Sequence, residues 1–359
     1  MTAEVPDTMI VQVLEGAGKI RPVKCPVPSP GPGEVLLKVA FCGICNSDIP
    51  RYSHAEVYRL PLVLGHEFSG RVALLGEAVT QCEVGERFAV YPLIPCHGCD
   101  SCKSGFYNLC KDYDFFGSRR DGALAQYVTV PVENLVPVPR EVPLDVAALT
   151  EPCAVAHHAS MVGRAGGGED IVIFGSGLIG LVVAEWVRAM GARRIWLVDI
   201  DPRKEEIARG LGFDLFLNPR KDDVEKIIRD ETALRMADIA FEVAGVAEAL
   251  LSAIRTVGHH GKVVVVGNPT ADVILSKELI SSLLRREIEI HGVWGTNILP
   301  KGRSDWDLTI QAFRDGKLSL AGLISHRYPL NSVPEALAML AEGREFHSRV
   351  LIQVDEEQS

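Results

Sequence analysis

The stretch DIVIFGSGLIGLVVAEWVRAM, residues 170–190, joins a short apolar run to a helical pattern through three glycines spaced GxGxxG. The order strand, glycine turn, helix makes this spacing informative, because each glycine then has a distinct steric task. Gly175 permits the tight turn, Gly177 lets the backbone approach a pyrophosphate, and Gly180 allows the helix to close on the sheet. The first helical residues, Leu178 and Ile179, then offer a helix N-terminus to phosphate charge. Asp199 ends the next apolar run, IWLVD, where a carboxylate accepts from both ribose hydroxyls. A 2'-phosphate would meet that negative charge, so NAD is expected over NADP, with Lys204 on the adenosine side. The runs ADIAFEVAG, KVVVVGN and IEIHGVWG follow, separated by helical stretches. This rhythm predicts a doubly wound parallel sheet.

The part before it reads differently. EVLLKVAF, FSGRVALLG, ERFAVYPLI and LAQYVTV are short β-type runs broken by Pro and Gly, as in a compact barrel-like domain. A length of 359 residues accommodates two such domains, and SRVLIQV near the end predicts a last strand. The expected division is 1–155, 156–294, and a segment 295–359 returning to the first domain. A net charge of -10 argues against a nucleic-acid or anionic-membrane partner, since both need a basic field. No apolar run reaches the roughly 18 residues needed to span a bilayer, and MTAEVPDTMI lacks the features of a signal peptide. A cytoplasmic location is expected.

Two constellations carry metal-binding chemistry. CHGCDSCKSGFYNLC places Cys96, Cys99, Cys102 and Cys110 within fifteen residues. A disulfide knot, a redox pair and a metal clasp all use such spacing. A reducing compartment and an odd total of nine cysteines weigh against complete pairing. Elsewhere, GICNSD, GHEFSG and TEPCAVAHHA supply Cys45, His66, Glu67 and Glu151, the thiolate, imidazole and carboxylate ligands of a borderline-soft Zn2+.

These motifs, taken in order with GSGLIG and LVDID, resemble the zinc-dependent medium-chain dehydrogenases over essentially the whole chain. Within that family the likeness is greatest to the polyol dehydrogenases, the galactitol-1-phosphate 5-dehydrogenase group included, through SDIPR, PLIPC, YDFFGSRRDG and KLSLAGLISHR. The resemblance implies a GroES-like β-rich catalytic domain joined to a Rossmann domain, and two zinc ions per chain. Cys96, Cys99, Cys102 and Cys110 would hold a structural zinc. Cys45, His66, Glu67 and Glu151 would serve a catalytic one, the glutamates directly or through water. A homodimer or homotetramer is implied.

The resemblance also implies a reaction: hydride transfer from a secondary alcohol to NAD+, with zinc lowering the alcohol's pKa. Ser47 matches the hydroxyl that passes on the proton. Many relatives place a histidine five residues after the zinc cysteine, and this chain has Pro50 there, so either the relay ends elsewhere, at water, Arg51 or His54, or Glu151 acts through zinc-bound water. Arg119 and Arg120 form a guanidinium pair suited to a phosphate, and Trp294 is expected at the pocket wall. Rival substrates are cyclitols, L-threonine and amino alcohols. A non-catalytic NAD-binding protein is a rival of another class, which the complete zinc constellation argues against.

Overall fold

The computed structural model describes residues 5–320 and 322–355, which form two compact units. The first comprises the chain up to Pro152 together with Asn297–Asp315 and the chain from Ile324; the second is Cys153–Thr296 with Gly316–Leu323. The C-terminal segment, expected to join the first domain whole, is therefore divided. Gly316–Leu323 stays with the second unit, where Ser319 N donates to the buried Glu185 carboxylate at 2.7 Å.

In the second unit six strands are ordered Phe216–Leu217, Arg194–Val198, Asp170–Phe174, Ala237–Glu242, Val257–Val265, Glu289–Gly292, and every pairing is parallel. Numbered along the chain this is 3-2-1-4-5-6, the doubly wound order. Val172, Ile173, Val198, Phe241 and Val263 are buried, as required where helices cover both faces of a parallel sheet.

In the first unit one sheet carries the site. Its order is Leu135–Pro137, Arg87–Val90, Glu67–Leu75, Glu34–Ile44, Arg349–Gln353, Ile324–Pro329, with Tyr127–Pro131 also pairing with Glu34–Ile44. A smaller sheet joins Lys19–Pro26, Thr8–Gly16 and Leu62–Val63, and a two-stranded ribbon joins Leu93–Ile94 to Asp114–Phe115. The core between them is apolar, built on Leu36, Leu37, Phe68, Phe116 and Leu337.

One polar group anchors the second unit from below. Asp170 opens the first strand of the nucleotide-fold sheet with its side chain buried, accepting from Arg194 Nε at 2.8 Å and from Arg193, with Arg235 Nη2 at 3.4 Å. Burial pushes this carboxyl up, but the hydrogen bonds and charges of Arg194 and Arg193 more than offset that, so it lies below its ordinary value. A depressed folded pKa contributes stability that is present above the unfolded value of about 3.9 and lost as pH falls through the folded one. Asp170→Asn is expected to cost about 1.5–3 kcal/mol, toward the low end because the arginines are part-exposed. Denaturant titration near neutral pH should show the loss, and the gap to the parent should narrow as the pH falls below 4 (roughly the unfolded carboxyl range).

Candidate metal and dinucleotide sites

Three adjacent strands bring the first constellation together. Glu34–Ile44 ends just before Cys45, Glu67–Leu75 begins at Glu67, and Arg349–Gln353 begins at Arg349. Antiparallel register sets Gly43 opposite both Glu67 and Leu351. Gly43 is required there, because a Cβ on it would collide with Glu67 Oε2. Cys45 Sγ and one donor atom each from His66 and Glu67 consequently lie within 4.8 Å of one another.

The surroundings hold these donors in place. Asp48 is buried; its Oδ2 accepts from Cys45 N at 3.1 Å, and its Oδ1 accepts from Arg51 Nη1 at 2.8 Å and stands 3.7 Å from His66 Nδ1. Arg349, also buried, donates to Ile44 O at 2.6 Å and faces Glu67 Oε1 at 3.2 Å. Glu151 sits in the first turn of the helix Thr150–Val162, outside the 4.8 Å group. Burial raises its carboxyl to about 7, with His66 opposing the rise and Glu67 adding to it. Burial, then Glu67, pushes the Cys45 thiol up to about 12.

These observations fit a divalent cation. His66 Nδ1 and both Glu67 carboxylate oxygens are buried without a hydrogen-bond partner, although Arg349 pairs electrostatically with one of the latter. A thiol, an imidazole and three carboxyl groups converge with one buried guanidinium, an excess of acidic groups that a zinc ion would offset.

The four-cysteine lobe fits a second ion on different grounds. Cys96 and Cys102 sulfurs lie 4.0 Å apart, Cys99 and Cys102 3.5 Å, and Cys99 and Cys110 3.9 Å. Zn–S bonds of about 2.3 Å in a tetrahedron put sulfurs about 3.8 Å apart. All four thiols are free, at separations far beyond a disulfide bond.

In the second unit Gly175 has φ +104°, and a Cβ on Gly180 would collide with Gly175 O. Gly177, the N-cap of the helix Leu178–Ala189, faces open space, as close approach by a pyrophosphate requires. Asp199 Oδ2 accepts from Ser176 N and from Lys204 Nζ, each at 2.8 Å, and Oδ1 accepts from Asp201 N at 3.0 Å.

Residues 31–140 match the model of the alcohol dehydrogenase GroES-like domain, and residues 179–315 that of the zinc-binding dehydrogenases. The chain belongs to the zinc-binding dehydrogenase family. It is 32% identical to galactitol 1-phosphate 5-dehydrogenase of Escherichia coli (strain K12) over 86% of this chain and 90% of that one. With sorbitol dehydrogenase of Bacillus subtilis (strain 168) the identity is 34%, covering 94% and 95%. Among solved structures, galactitol-1-phosphate dehydrogenase from Escherichia coli superposes with a TM-score of 0.91 at 30% identity, covering 96% of this chain and all of that one. A putative zinc-binding dehydrogenase from Sinorhizobium meliloti 1021, bound to NADP, gives 0.90 at 28%, covering 97% and 100%. The dehydrogenase is thus an NAD(P)-dependent oxidoreductase of the zinc-containing alcohol class with a GroES-like and a Rossmann-like unit.

The remaining expected residues have distinct settings. Ser47 is exposed; its amide lies 3.5 Å from Cys45 Sγ, and its Oγ accepts from Arg51 Nη1 at 3.2 Å. Trp294, beyond the last strand of the second unit, is 58% exposed. Arg120 Nε lies 3.6 Å from Asp114 and its Nη2 4.0 Å from Glu34, whereas Arg119 is held between the rings of Tyr58 and Tyr113. The two arginines are therefore not an equivalent pair. Sequence reading passed over Asp48 and Arg349. The signals were an acid inside GICNSD and a lone charged residue, Arg349, opening the largely apolar terminal run RVLIQ.

Isolated with its metal, the dehydrogenase should contain two zinc ions per chain. Cys99→Ser should remove one and lower the thermal midpoint, because a structural zinc contributes directly to folding. Elemental analysis finding one ion in fully active protein would exclude the two-site assignment.

Proposed function

We propose that the dehydrogenase oxidises a secondary alcohol of a polyol or polyol phosphate with NAD+, and reduces the ketone in reverse. The convergence of Cys45, His66 and Glu67 donors within 4.8 Å supports this reading most directly. These three side chains would hold the catalytic zinc, with Glu151, whose charge bears on the Cys45 thiol, as a further or water-mediated ligand. When bound, zinc supplies a Lewis acid that lowers the alcohol's pKa, and the nicotinamide supplies the hydride acceptor.

The chain's own residues provide orientation and a route for the proton. Asp48 fixes the backbone of Cys45 and stands 3.7 Å from His66 Nδ1, supporting both side chains from behind. Ser47 Oγ takes the alcohol proton and passes it to water, since its side chain reaches solvent directly. Arg51 cannot end the relay, because a guanidinium has no acceptor. Its hydrogen bond to Ser47 Oγ instead orients the hydroxyl. Gly175, Gly177, Leu178, Ile179 and Gly180 cradle the pyrophosphate, and Asp199 with Lys204 receives the adenosine ribose.

Reduction of NAD+ followed by absorbance should report activity on a panel of polyols, polyol phosphates and L-threonine, and efficiency with NAD+ should exceed that with NADP+. Asp199→Ala should narrow that gap. Cys45→Ser should abolish turnover while NADH binding stays measurable. A wild type preferring NADP+, or inert toward every polyol, would refute the corresponding part of the reading.

The same reading includes a homo-oligomer. Glu289–Gly292 is the outer strand of the six-stranded sheet, and Ile290 on it is a large exposed apolar residue, as are Ile274 and Leu284 earlier in the chain. An open strand edge beside exposed apolar residues invites pairing with a second copy. Light scattering should therefore give a dimer or larger, and Ile290→Lys should shift it toward monomer. A monomeric parent at micromolar concentration would exclude this interface.

A further inference from the structure

We infer that Arg119 alone is the specificity-determining residue of the substrate site, binding an oxyanion carried by the polyol away from its reacting carbon. This rests on the polyol reading above and narrows it to anionic polyols, those bearing a phosphate monoester or a carboxylate.

A continuous aromatic wall within the first unit leads from the metal ligands to this guanidinium. The His66 ring lies 5.6 Å from Phe115, and Phe115 lies 6.2 Å from Tyr113. Arg119 Cζ then sits 4.2 Å from the Tyr113 ring centroid and 4.4 Å from that of Tyr58. The backbone fixes this spacing, because the amides of Ser118, Arg119 and Arg120 all donate to Phe115 O, at 3.3, 3.0 and 3.2 Å. The residue against His66 and the residue between the tyrosines therefore belong to one tight turn. Arg59 Nε holds that turn from outside, donating to Arg119 O at 3.2 Å.

What distinguishes Arg119 is its lack of an anion. Arg51 pairs with Asp48, Arg59 with Asp121 at 2.7 Å, and Arg120 faces Asp114 and Glu34. Among the described residues Arg119 meets only tyrosines. Its Nη2 has a long 3.4 Å contact to Tyr58 Oη, and its Nε is buried without a hydrogen-bond partner. Aromatic faces stabilise a guanidinium through their quadrupoles but accept none of its five in-plane donors well. With its guanidinium carbon over two tyrosine rings and no carboxylate beside it, a bidentate oxyanion approaching in its plane is the ligand such a group lacks. The formal charge of -10 on the whole chain would repel an anionic substrate, so a local cation is needed to retain one.

Arg119→Gln, Arg119→Lys and, as a control, Arg120→Gln should be compared on galactitol 1-phosphate, idonate, galactitol and sorbitol. For the oxyanion-bearing polyol that the parent prefers, Arg119→Gln should cost about ten- to a hundredfold in kcat/KM, mostly through KM. The neutral polyols should change little, Arg119→Lys should recover part of the loss, and Arg120→Gln should affect both classes alike. Whether the phosphate or the carboxylate suffers more tells the two sources apart. Calorimetric binding of the same compounds needs no turnover. A parent that binds an anionic polyol without oxidising it would leave this inference standing and sink the proposal that polyols are its substrates. A parent favouring neutral polyols, or an Arg119→Gln variant of unchanged thermal midpoint with equal losses on both classes, would overturn it.

Discussion

The concentration of acidic groups around one half-buried thiol is the constraint from which the first unit follows. Burial raises the Cys45 thiol and the Glu151 carboxyl, and the charges of Glu67 and Asp48 push both further up. Removing such groups from water costs several kcal/mol per ion unless they are paired. The chain answers with Arg349, whose guanidinium bridges Ile44 O and the Glu67 carboxylate. That residue arrives 305 positions after Ile44, on a terminal strand whose register against Glu34–Ile44 places it there. The return of the C-terminus to the first unit is thus tied to the electrostatics of the site as well as to the apolar core.

The two cysteine sites solve the same problem in different ways. In the lobe, backbone amides of Lys111 and Cys102 donate to Cys99 and bring its thiol down to about 6, whereas burial, with Cys110 and Cys99 adding, holds Cys102 up to about 12. Part of the lobe is therefore prepared for thiolates by its own backbone, as suits a closed structural site. Around Cys45 the neighbours are carboxyl groups, which oppose the thiolate until a cation arrives. An ion there would be held against that opposition by three close donors, which would leave a position for substrate.

What was legible in the sequence was local. The glycine loop and the four-cysteine run keep their meaning at short spacing, because a turn or a tetrahedron of sulfurs is closed within a few residues. Cys45, His66 and Glu67 were legible only as members of quoted motifs; their convergence depends on register between strands, which no short window contains. Arg349 and Asp48 escaped for the same reason. Arg119 and Arg120 looked equivalent in SRRDG, yet Asp114 and Glu34 take up one, and Tyr58 and Tyr113 take up the other. Adjacent side chains on a tight turn point apart, so a doublet in sequence need not be a pair in space. The division of the C-terminal segment was equally hidden, since it turns on contacts such as Ser319 with Glu185 across 134 residues.

The second unit shows how far a carboxylate is committed before a cofactor arrives. A carboxylate offers about four acceptor positions. Asp199 uses three, on the amides of Ser176 and Asp201 and on Lys204 Nζ. The Ser176 bond ties it to the glycine loop, so the ribose and pyrophosphate positions are fixed relative to each other. One ribose hydroxyl would fill the position left, so Asp199 in this setting has room for one of the two hydroxyls that its place in the sequence implied. A 2'-phosphate brings a second anion to the same place, and its nearest compensating charge, Lys204, is already engaged by Asp199. Binding it would require Lys204 to leave one anion for another, with the carboxylate then facing the phosphate unscreened. On the proposed reading, the Lys204–Asp199 pair, more than the carboxylate alone, would favour the unphosphorylated ribose.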